Sequence, residues 1–486
     1  MNRHLPAGTA EVDLIAEGSL PSVFGRRWRD EPGRVVLVDA DGREVTAGEL
    51  DSRSETIARR LAAARVRRDD RVLLSGGASA DYVAAYCGAL RAGFVVVPVN
   101  AAYTQRELDV IVQDARPRAA ILENAEMRSW LDGSKVVVTA VDVDLPDGPP
   151  IALDEVGPFD PALLPYTSGT TGKPKGALLS HRNLLAGAEA VRIAWRWTEK
   201  DRLILALVLF HMHGLGVGVN GTLAAGSTAI LRPRFDVEDV LELADEATMY
   251  FGVPTNYARI VRSENAKRLA ALRLCVSGSA PLSADMHREI ERRCGQVVLE
   301  RYGMTETVML VSNPYEGERR PGTVGVPLPG VDLKLGDKDE ILVCGPNVFS
   351  GYWGNPEATD ASFDGDAFFR TGDVGAIDDD GYVSIVGRAK ELIISGGYNV
   401  YPREVEDVLR AHPSVTDAAV VGTPSDEWGE IVTAYVVAVD DVDADALIAW
   451  AAEQLAPYKK PRIVHRIDEI PRNAMGKILR HELKQA

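Results

Sequence analysis

Residues 71–122 read RVLLSGGASADYVAAYCGALRAGFVVVPVNAAYTQRELDVIVQDARPRAAIL. The apolar runs at 71–74, 94–99 and 119–122 predict three strands, and the segments between them carry apolar residues at helical spacing. The strand runs are apolar throughout rather than alternating, which is typical of strands buried on both faces. This stretch therefore predicts an α/β fold with a mainly parallel sheet covered by helices on both sides.

Helix boundaries around this stretch are marked by capping signals. Thr46-x-x-Glu49 and Thr104-x-x-Glu107 are capping boxes that predict two helix starts, and Gly93 predicts a helix end. The longest apolar region, 203–231, is interrupted by histidines, an asparagine and glycines. A membrane span needs about 20 uninterrupted apolar residues, so this region predicts a buried strand followed by a helix.

Length and composition exclude several classes of protein. The chain has 486 residues, with 54 basic and 71 acidic ones, for a net charge of −17. Such a negative charge argues against nucleic acid or an anionic membrane as the main partner. Four scattered cysteines, without CxxC pairs, predict reduced thiols in the core, and the first 20 residues lack the apolar stretch of a secretory signal. We therefore expect a cytoplasmic protein.

The length also predicts more than one domain. Glycine-punctuated strands end near residue 389, and beyond it a helix begins at Pro402 and ends before Pro413. We expect a large amino-terminal domain, 1–389, of layered sheets and helices, and a small carboxy-terminal α+β domain, 390–486.

The segment most informative about chemistry is Tyr166-Thr-Ser-Gly-Thr-Thr-Gly-Lys-Pro-Lys-Gly176. Its glycines let backbone N–H groups approach a phosphate, its hydroxyls add donors, and Lys173 and Lys175 add positive charge. It differs from the Walker P-loop, because only two residues separate Gly169 from Gly172 and a proline follows Lys173. The alternative is a flexible polar turn.

Two other patterns suggest chemistry only weakly. His211 and His213 could be a metal pair, but two ligands without a third make a poor site. We interpret His211 as a pocket residue and His213 as packing. The run Gly216-x-Gly218-x-x-Gly221 fits the dinucleotide fingerprint, yet Arg232 stands where an acidic residue is needed, so we interpret these glycines as helix packing.

With these motifs in order, the chain resembles the acyl- and aryl-adenylate-forming family of CoA ligases, luciferase-like enzymes and adenylation domains. Seven segments carry the resemblance, at residues 166–176, 210–214, 277–282, 301–306, 370–373, 387–391 and 471–477. The family's reaction joins a carboxylate to the α-phosphate of Mg·ATP, and a thiol, usually that of CoA, then displaces AMP. The resemblance implies Mg²⁺ as cofactor, ATP and CoA as co-substrates, and rotation of the small domain at Lys390.

The resemblance also implies roles for individual residues. Lys477, Glu306 and Thr167 are implied to be catalytic, with Glu306 the magnesium ligand. The implied nucleotide ligands are Thr167, Ser168, Gly169, Thr170, Thr171, Gly172, Lys173, Ser279, Ala280, Pro281, Glu300, Arg301, Tyr302, Gly303, Thr305, Asp373, Arg388 and Lys477. The acyl group is implied to meet His211, Arg259, Gly278 and Arg301, and CoA to meet Ser395, Gly396, Gly397 and Tyr398.

Each of these residue types suits its implied role. Asp373 can accept two ribose hydroxyls, and Glu306 is a hard oxygen ligand of the kind Mg²⁺ prefers. The ring of Tyr302 can stack on adenine, and Lys477 can stabilise charge in the transition state. The alternatives are an exposed turn aspartate, an exposed glutamate at a helix start, a core tyrosine and a solvated lysine.

Arg301 bears on the choice of acid, because many relatives have a small or neutral residue before the Tyr-Gly-x-Thr-Glu run. An unpaired guanidinium in the pocket would be unfavourable, and a second carboxylate on the substrate would satisfy it. Residues 300–306, 253–259 and 322–329 resemble those of malonyl-CoA synthetases, with Arg259 a second ligand for that carboxylate. The alternative is that Arg301 pairs with Glu300 or contacts phosphate, and residues 397–404 follow the general acyl-CoA ligase pattern.

Three functions remain open at this point. The first is an ATP-dependent ligase that makes a CoA thioester of malonate or a similar small dicarboxylate such as methylmalonate. The second is a CoA ligase for a monocarboxylate, or an adenylating enzyme that passes the acyl group to an amine or a carrier-protein thiol. The third is a nucleotide-binding module without ligase chemistry, against which the intact 471–477 segment argues. The oligomeric state does not follow from the sequence.

Overall fold

The structure, a computed structural model, describes residues 3–5, 12–16, 18–167, 174–425, 427–439, 442–473 and 476–484. Within these residues the strands form four sheets. Residues 168–173 of the predicted phosphate loop lie outside the described residues, so Ser168, Gly169, Thr170, Thr171, Gly172 and Lys173 remain predictions.

The first sheet has nine strands in the described residues. In spatial order they are Val326–Pro327, Val311–Ser312, Leu299–Tyr302, Leu274–Ser277, Met249–Gly252, Arg202–Leu205, Thr228–Leu231, Val35–Val38 and Glu44–Thr46. The six strands from Leu299–Tyr302 to Val35–Val38 are parallel, and antiparallel strands flank them on both sides. The parallel centre places the carboxyl ends of several strands at one edge.

The second sheet has eight described strands and contains the stretch quoted first. Its order is Gly351–Tyr352, Lys175–Ser180, Pro161–Leu163, Val95–Pro98, Arg71–Ser75, Ala119–Leu122 and Val137–Thr139, with Tyr166–Thr167 paired beside Lys175–Ser180. The three predicted strands are confirmed as parallel neighbours, with Leu73 opposite Val97 on one side and Ala120 on the other.

The third sheet is antiparallel and has the order Asp332–Leu335, Glu340–Cys344, Phe369–Ile377 and Val383–Arg388. The fourth sheet belongs to the small domain, in the order Tyr398–Val400, Ile393–Ser395, Gly429–Ala438 and Val415–Ser425, with Ile463–Arg466 parallel to Gly429–Ala438. It packs its own core, which includes Val405, Leu409 and Leu447. The predicted large and small domains are confirmed, while the boundary at 389 stays a prediction.

Helices cover the sheets, and the predicted helix ends are confirmed, although only the Thr46 half of the first capping box forms. The hydroxyl of Thr46 accepts from the backbone of Glu49 at 3.2 Å, Thr104 and Glu107 form a full capping box, and Gly93 has φ +75°. The α-helices are Leu20–Asp30, Ala47–Ala63, Ala80–Arg91, Gln105–Ala115, Ala125–Ser129, His181–Ala194, Asn220–Ala225, Val237–Leu243, Pro254–Ile260, Ala284–Cys294, Pro356–Asp360, Pro402–Arg410, Ala444–Gln454 and Arg480–Leu483. Short 3₁₀ turns lie at Ala266–Ala271, Asp337–Asp339 and Ala389–Glu391.

The helix expected after strand Arg202–Leu205 differs from the prediction, because it begins as a π-helix, His213–Val219, before the α-helix Asn220–Ala225. A side chain at Gly214 would overlap the carbonyl of Val208, and one at Gly218 would lie 2.7 Å from Leu205. The wider π turn therefore depends on close backbone packing, and such turns are common at functional sites. The interpretation of the glycines as packing residues is confirmed.

The cysteines also depart in part from expectation. All four are free thiols, and Cys87, Cys275 and Cys294 are buried, but Cys344, the last residue of strand Glu340–Cys344, is only half-buried. In the part of the chain that the structure describes, no helix is long and apolar enough to cross a membrane.

Candidate active site

The candidate site lies at the carboxyl edge of the first sheet. The loop 278–281 follows strand Leu274–Ser277, residues 303–306 follow Leu299–Tyr302, and helix Pro254–Ile260 follows Met249–Gly252. Because parallel strands end at the same edge, these separate segments of the sequence converge there. Ser279 has φ +70° and its hydroxyl lies 3.2 Å from Nδ1 of His213, so this loop is held in an uncommon backbone conformation.

Asp373 is held in a buried polar cluster. Its side chain is 5% exposed, the Tyr302 hydroxyl donates to Oδ2 at 2.5 Å, and Nε of Arg388 lies 2.8 Å from Oδ1. The charge of Asp373 raises the pKa of Arg388, while burial and that same carboxylate raise the pKa of Tyr302 well above its usual value. The implied residues Tyr302, Asp373 and Arg388 are therefore together, and their remaining acceptor positions suit hydroxyl donors.

Glu306 is buried, at 5% exposure, and its carboxylate accepts from the Tyr352 hydroxyl at 2.9 Å. Nζ of Lys175 lies 5.1 Å from the centre of the Tyr352 ring, and Gly351–Tyr352 pairs with the strand that contains Lys175. Sequence reasoning missed Tyr352, because a contact across 46 residues of sequence leaves no local signal. Tyr352 thus connects Glu306 to strand Lys175–Ser180, which follows the predicted phosphate loop.

Lys477 faces this cluster. Its ammonium is within electrostatic range of Arg388, Asp373 and Glu306, and it helps to lower the pKa of His211. Burial first and the charge of Arg388 second lower the pKa of Lys477, although part of its side chain stays exposed. The structure thus brings the implied catalytic lysine and the implied magnesium ligand to one place.

Arg301 is a buried guanidinium without a counterion among the described residues. The residue is 5% exposed, and neither Nε nor Nη2 has a hydrogen-bond partner in the described chain. Burial alone lowers the pKa of Arg301 to about 9, with no acidic neighbour opposing the shift. Arg301 lies against Gly278, where a β-carbon would be 2.5 Å from the guanidinium carbon.

Glu300 does not pair with Arg301, contrary to one of the alternatives considered from sequence. It points to the other face of the strand, where one carboxylate oxygen accepts from the backbone of Leu282 at 3.1 Å and the other has no partner among the described residues. The residue is 2% exposed, and burial raises its pKa to about 7. Glu300 is therefore a buried carboxyl that the fold holds more easily in its neutral form.

This burial predicts a pH dependence of stability that Glu300→Gln removes. The pKa rises from 4.5 to about 7 on folding, so the favourable contribution is complete below about pH 4.5 and is lost as the pH rises through 7. Between pH 5 and pH 8, the free energy of unfolding of the wild-type protein should fall by about 2 to 3 kcal/mol more than that of the variant. Urea unfolding of both proteins at the two pH values measures this. Parallel curves would show that Glu300 is ionised without penalty.

The histidines occupy different environments. The backbone N–H of His213 donates to Nδ1 of His211 at 3.3 Å, and burial lowers the pKa of His211 to about 3. His213 stacks on Phe251 with ring centres 6.0 Å apart, as expected of a packing residue, and it also meets Ser279. No group of three or more potential metal-binding side chains occurs among the described residues.

Arg259 is not brought into the buried pocket. Its side chain is exposed and lies over the ring of Phe235, with the guanidinium carbon 5.0 Å from the ring centre. Its predicted role as a second carboxylate ligand is therefore not visible in this arrangement, because the helix that carries it turns Tyr257 and Ile260 inward instead.

The other implied nucleotide positions come from both of the large sheets. Thr167 lies in a short strand, with its hydroxyl 3.4 Å from the Lys175 carbonyl. A side chain at Gly303 would overlap the Val308 carbonyl, so the turn that leads to Glu306 requires glycine there. Ala280 and Thr305 are half-buried, and Pro281 is exposed.

The implied CoA and hinge residues lie in the small domain and its connection. Ser395 and Tyr398 face each other across a hairpin whose turn residues, Gly396 and Gly397, have φ +59° and +82°. Tyr398 is 56% exposed and stacks on Tyr458, with ring centres 4.5 Å apart. Lys390 is exposed in the 3₁₀ turn Ala389–Glu391.

Comparison with known proteins gives consistent matches over nearly the whole chain. Residues 24–353 match the family described as AMP-binding enzyme, and 404–477 match the AMP-binding enzyme C-terminal domain. Feruloyl-CoA synthase of Amycolatopsis sp is 38% identical over 95% of this chain and 97% of its own length. Malonate–CoA ligase of Arabidopsis thaliana is 32% identical, covering 96% and 89%. The structure of ATP-bound MatB from Rhodopseudomonas palustris has a TM-score of 0.92 and 39% identity, covering 96% and 98%.

Proposed function

Because the chain belongs to the AMP-binding enzyme family and is an AMP-forming acyl-CoA synthetase, we propose that its acid is malonate or a similar small dicarboxylate such as methylmalonate. The observation that carries this proposal is the buried guanidinium of Arg301, which has no counterion among the described residues. A buried charge without a partner is unfavourable by several kcal/mol. The distal carboxylate of a dicarboxylate supplies the partner in a bidentate geometry.

The names of the relatives support a CoA ligase but differ in the acid. One similar protein is named a malonate–CoA ligase, and another is named a feruloyl-CoA synthase. The second name favours a monocarboxylate as the alternative substrate class. The burial of Arg301 argues against a monocarboxylate, since ferulate offers no second carboxylate to a buried cation.

For the nucleotide, the cluster around Asp373 is the proposed ribose site. A carboxylate fixed by Tyr302 and Arg388 accepts the two ribose hydroxyls, and the ring of Tyr302 is the proposed surface for adenine. The phosphates are assigned to the loop 166–176, with Lys175 at its end. This arrangement would place the α-phosphate between the loop and Lys477.

Glu306 fits the requirements of a magnesium ligand. It is a buried carboxylate that accepts a hydrogen bond from Tyr352, and among the described residues no salt bridge joins it to a basic side chain, although the charges of Lys477 and Arg388 act on it at longer range. A single protein carboxylate is usual for Mg²⁺, which takes its other ligands from phosphate and water. When bound, the ion would neutralise phosphate charge.

In the proposed first step, a carboxylate oxygen of the acid attacks the α-phosphorus of ATP, the bond to the β-phosphate oxygen breaks, and pyrophosphate leaves. Lys477 holds the two reactants in line and stabilises the negative charge that develops at the α-phosphate. In the second step the sulfur of CoA attacks the acyl carbon, AMP leaves, and the thiol proton passes to solvent.

The second step needs a different part of the small domain. We assign the glycine turn of residues 395–398 to the pantetheine arm of CoA, because two glycines with positive φ allow close approach of a ligand to the backbone. In the structure Lys477 faces the site, so we assign this arrangement to the first step and a rotation about Lys390 to the second.

A panel of carboxylic acids tests the proposed function. Acid-dependent exchange of labelled pyrophosphate into ATP reports the first step, and mass spectrometry of the products with and without CoA reports the second. We expect exchange with malonate and methylmalonate, and a CoA thioester only when CoA is added. If no acid in the panel supported exchange, the proposed ligase activity would be contradicted. If products formed with amines but not with CoA, CoA would be contradicted as the acceptor.

Tyr352→Phe tests the orientation of Glu306. Removing the hydroxyl leaves the ring beside Lys175 but frees the carboxylate to rotate, so the Mg²⁺ concentration for half-maximal exchange should rise about 10-fold. Magnesium-dependent ATP binding measured by calorimetry should weaken in parallel. Tyr382→Phe removes a hydroxyl that donates to the Glu318 carbonyl instead and is the control. Equal magnesium requirements in both variants would refute the role of Tyr352.

A further inference from the structure

The turn that carries Lys477 is closed by its own backbone. The N–H of Leu479 donates to Pro471 O at 2.8 Å, the N–H of Asn473 donates to Lys477 O at 2.9 Å, and the Asn473 side chain accepts from the N–H of Lys477 at 3.0 Å. These bonds set the shape of the turn. Because they all lie within it, they do not set its direction relative to the rest of the small domain.

Arg472 supplies a link to the sheet of the small domain. Its Nη1 donates to the carbonyl of Gly476 at 2.7 Å, while Nη2 donates to both carboxylate oxygens of Asp417, at 3.0 and 2.7 Å. Asp417 lies in strand Val415–Ser425, which pairs along its length with Gly429–Ala438. One guanidinium thus connects strand Val415–Ser425, at the edge of the small-domain sheet, to the peptide group immediately before Lys477.

A hydrogen bond to the carbonyl of Gly476 affects the orientation of Lys477, the next residue. It belongs to the peptide unit that leads into Lys477, so its direction sets the direction of the Lys477 Cα–Cβ bond. Gly476 has φ +75°, and a β-carbon on it would be 3.5 Å from Thr255 of the large domain. The turn is therefore held by Arg472 on the side of the small domain and lies close to Thr255 of the large domain on the other.

We propose that Arg472 is a positioning residue for the adenylate-forming step. By bridging Asp417 and the Gly476 carbonyl, it holds the ammonium of Lys477 toward Asp373 and Glu306. The inference rests on the proposed function, in which Lys477 serves the first step and the turn at 395–398 serves the second. The effect of losing Arg472 should therefore be confined to the first step.

Separate assays of the two steps test this. Arg472→Met should lower malonate-dependent pyrophosphate exchange about 10- to 100-fold through kcat, because small misplacements of a catalytic group have effects of this size. Thioester formation from presynthesised acyl-adenylate and CoA should stay within about 3-fold of wild type, since it bypasses the step that Lys477 serves. Arg472→Lys should recover part of the exchange activity, because an ammonium can reach one of the two partners. Asp417→Asn should weaken exchange less than Arg472→Met.

The matched control is Arg410→Met. Arg410 pairs with the same carboxylate, Nε to Oδ1 at 3.4 Å, but its other bonds go to Glu406, Asp407 and the Ala418 carbonyl rather than to the turn. This variant should leave the ratio of the exchange rate to the rate of thioester formation unchanged. If Arg472→Met lowers both steps equally, or if Arg410→Met lowers exchange as much, Arg472 only stabilises the domain and the inference is wrong. Absence of exchange in the wild-type protein would instead overturn the proposed function.

Discussion

Replacing Arg301 by methionine should abolish the preference for malonate and make the protein more stable. Truncating one partner of a buried charge pair removes 2 to 5 kcal/mol of interaction, so kcat/KM for malonate should fall about 10²- to 10³-fold. Methionine has a similar volume and no charge, and replacing a buried charge by an apolar group of this kind typically raises the free energy of unfolding by about 1 to 4 kcal/mol. Thioester formation and urea unfolding measure the two effects.

The control for Arg301→Met is a change of substrate. Propanoate has the same three carbons as malonate but ends in a methyl group, which leaves Arg301 unpaired in the wild-type complex. The variant should therefore use propanoate as well as or better than the wild type does. Undiminished turnover of malonate by the variant would mean that Arg301 does not meet the substrate, and the dicarboxylate assignment would be lost.

Lys477→Met should disable the first step and spare the second. Lys477 is a cation of the small domain on which the charges of Asp373 and Glu306 act. Removing one group that stabilises developing charge typically lowers kcat about 10²- to 10³-fold. We expect this loss in malonate-dependent pyrophosphate exchange, while thioester formation from presynthesised acyl-adenylate should keep near wild-type rates.

Lys484→Met is the matched control, because it removes the same charge from an exposed position after helix Arg480–Leu483. Both steps should proceed normally in that variant. An equal loss of both steps in Lys477→Met would assign Lys477 to the structure of the small domain rather than to the reaction.

Sequence patterns could predict the fold because its strands are local and strongly apolar. The runs at 71–74, 94–99 and 119–122 lie buried on both faces, and capping residues such as Thr46 and Thr104 act within one helical turn. The π-helix at His213–Val219 could not be predicted, since it depends on contacts of glycines with residues such as Val208 and Leu205 that packing alone decides.

Within the candidate site, the sequence could predict only residues whose own side chains are suited to the chemistry. Asp373, Glu306 and Lys477 were identified because their segments resemble those of a known family, and the structure brings them together. Tyr352 and Arg472 act through other residues, and their partners lie 46 and 55 residues away in the sequence. Arg259 was predicted from resemblance, but its orientation depends on stacking with Phe235.

The burial of Arg301 could not be predicted from the sequence, because it depends on the direction in which its side chain points. An arginine near the end of a strand can point into the site or out to solvent, and strand periodicity assigns a face without assigning a partner. The absence of a side chain at Gly278 decides this, since it opens the space that the guanidinium fills. The separation of Glu300 from Arg301 follows, because adjacent residues in a strand point to opposite faces.

The measurement that tests the central claim most directly compares malonate with propanoate in CoA thioester formation by the wild-type protein. A site that binds a substrate's charged group rejects the analogue that lacks it, so kcat/KM for malonate should exceed that for propanoate by at least about 100-fold. A ratio near one, or a preference for propanoate or an aromatic monocarboxylate such as ferulate, would contradict the account, because Arg301 would then remain buried without a partner during the reaction.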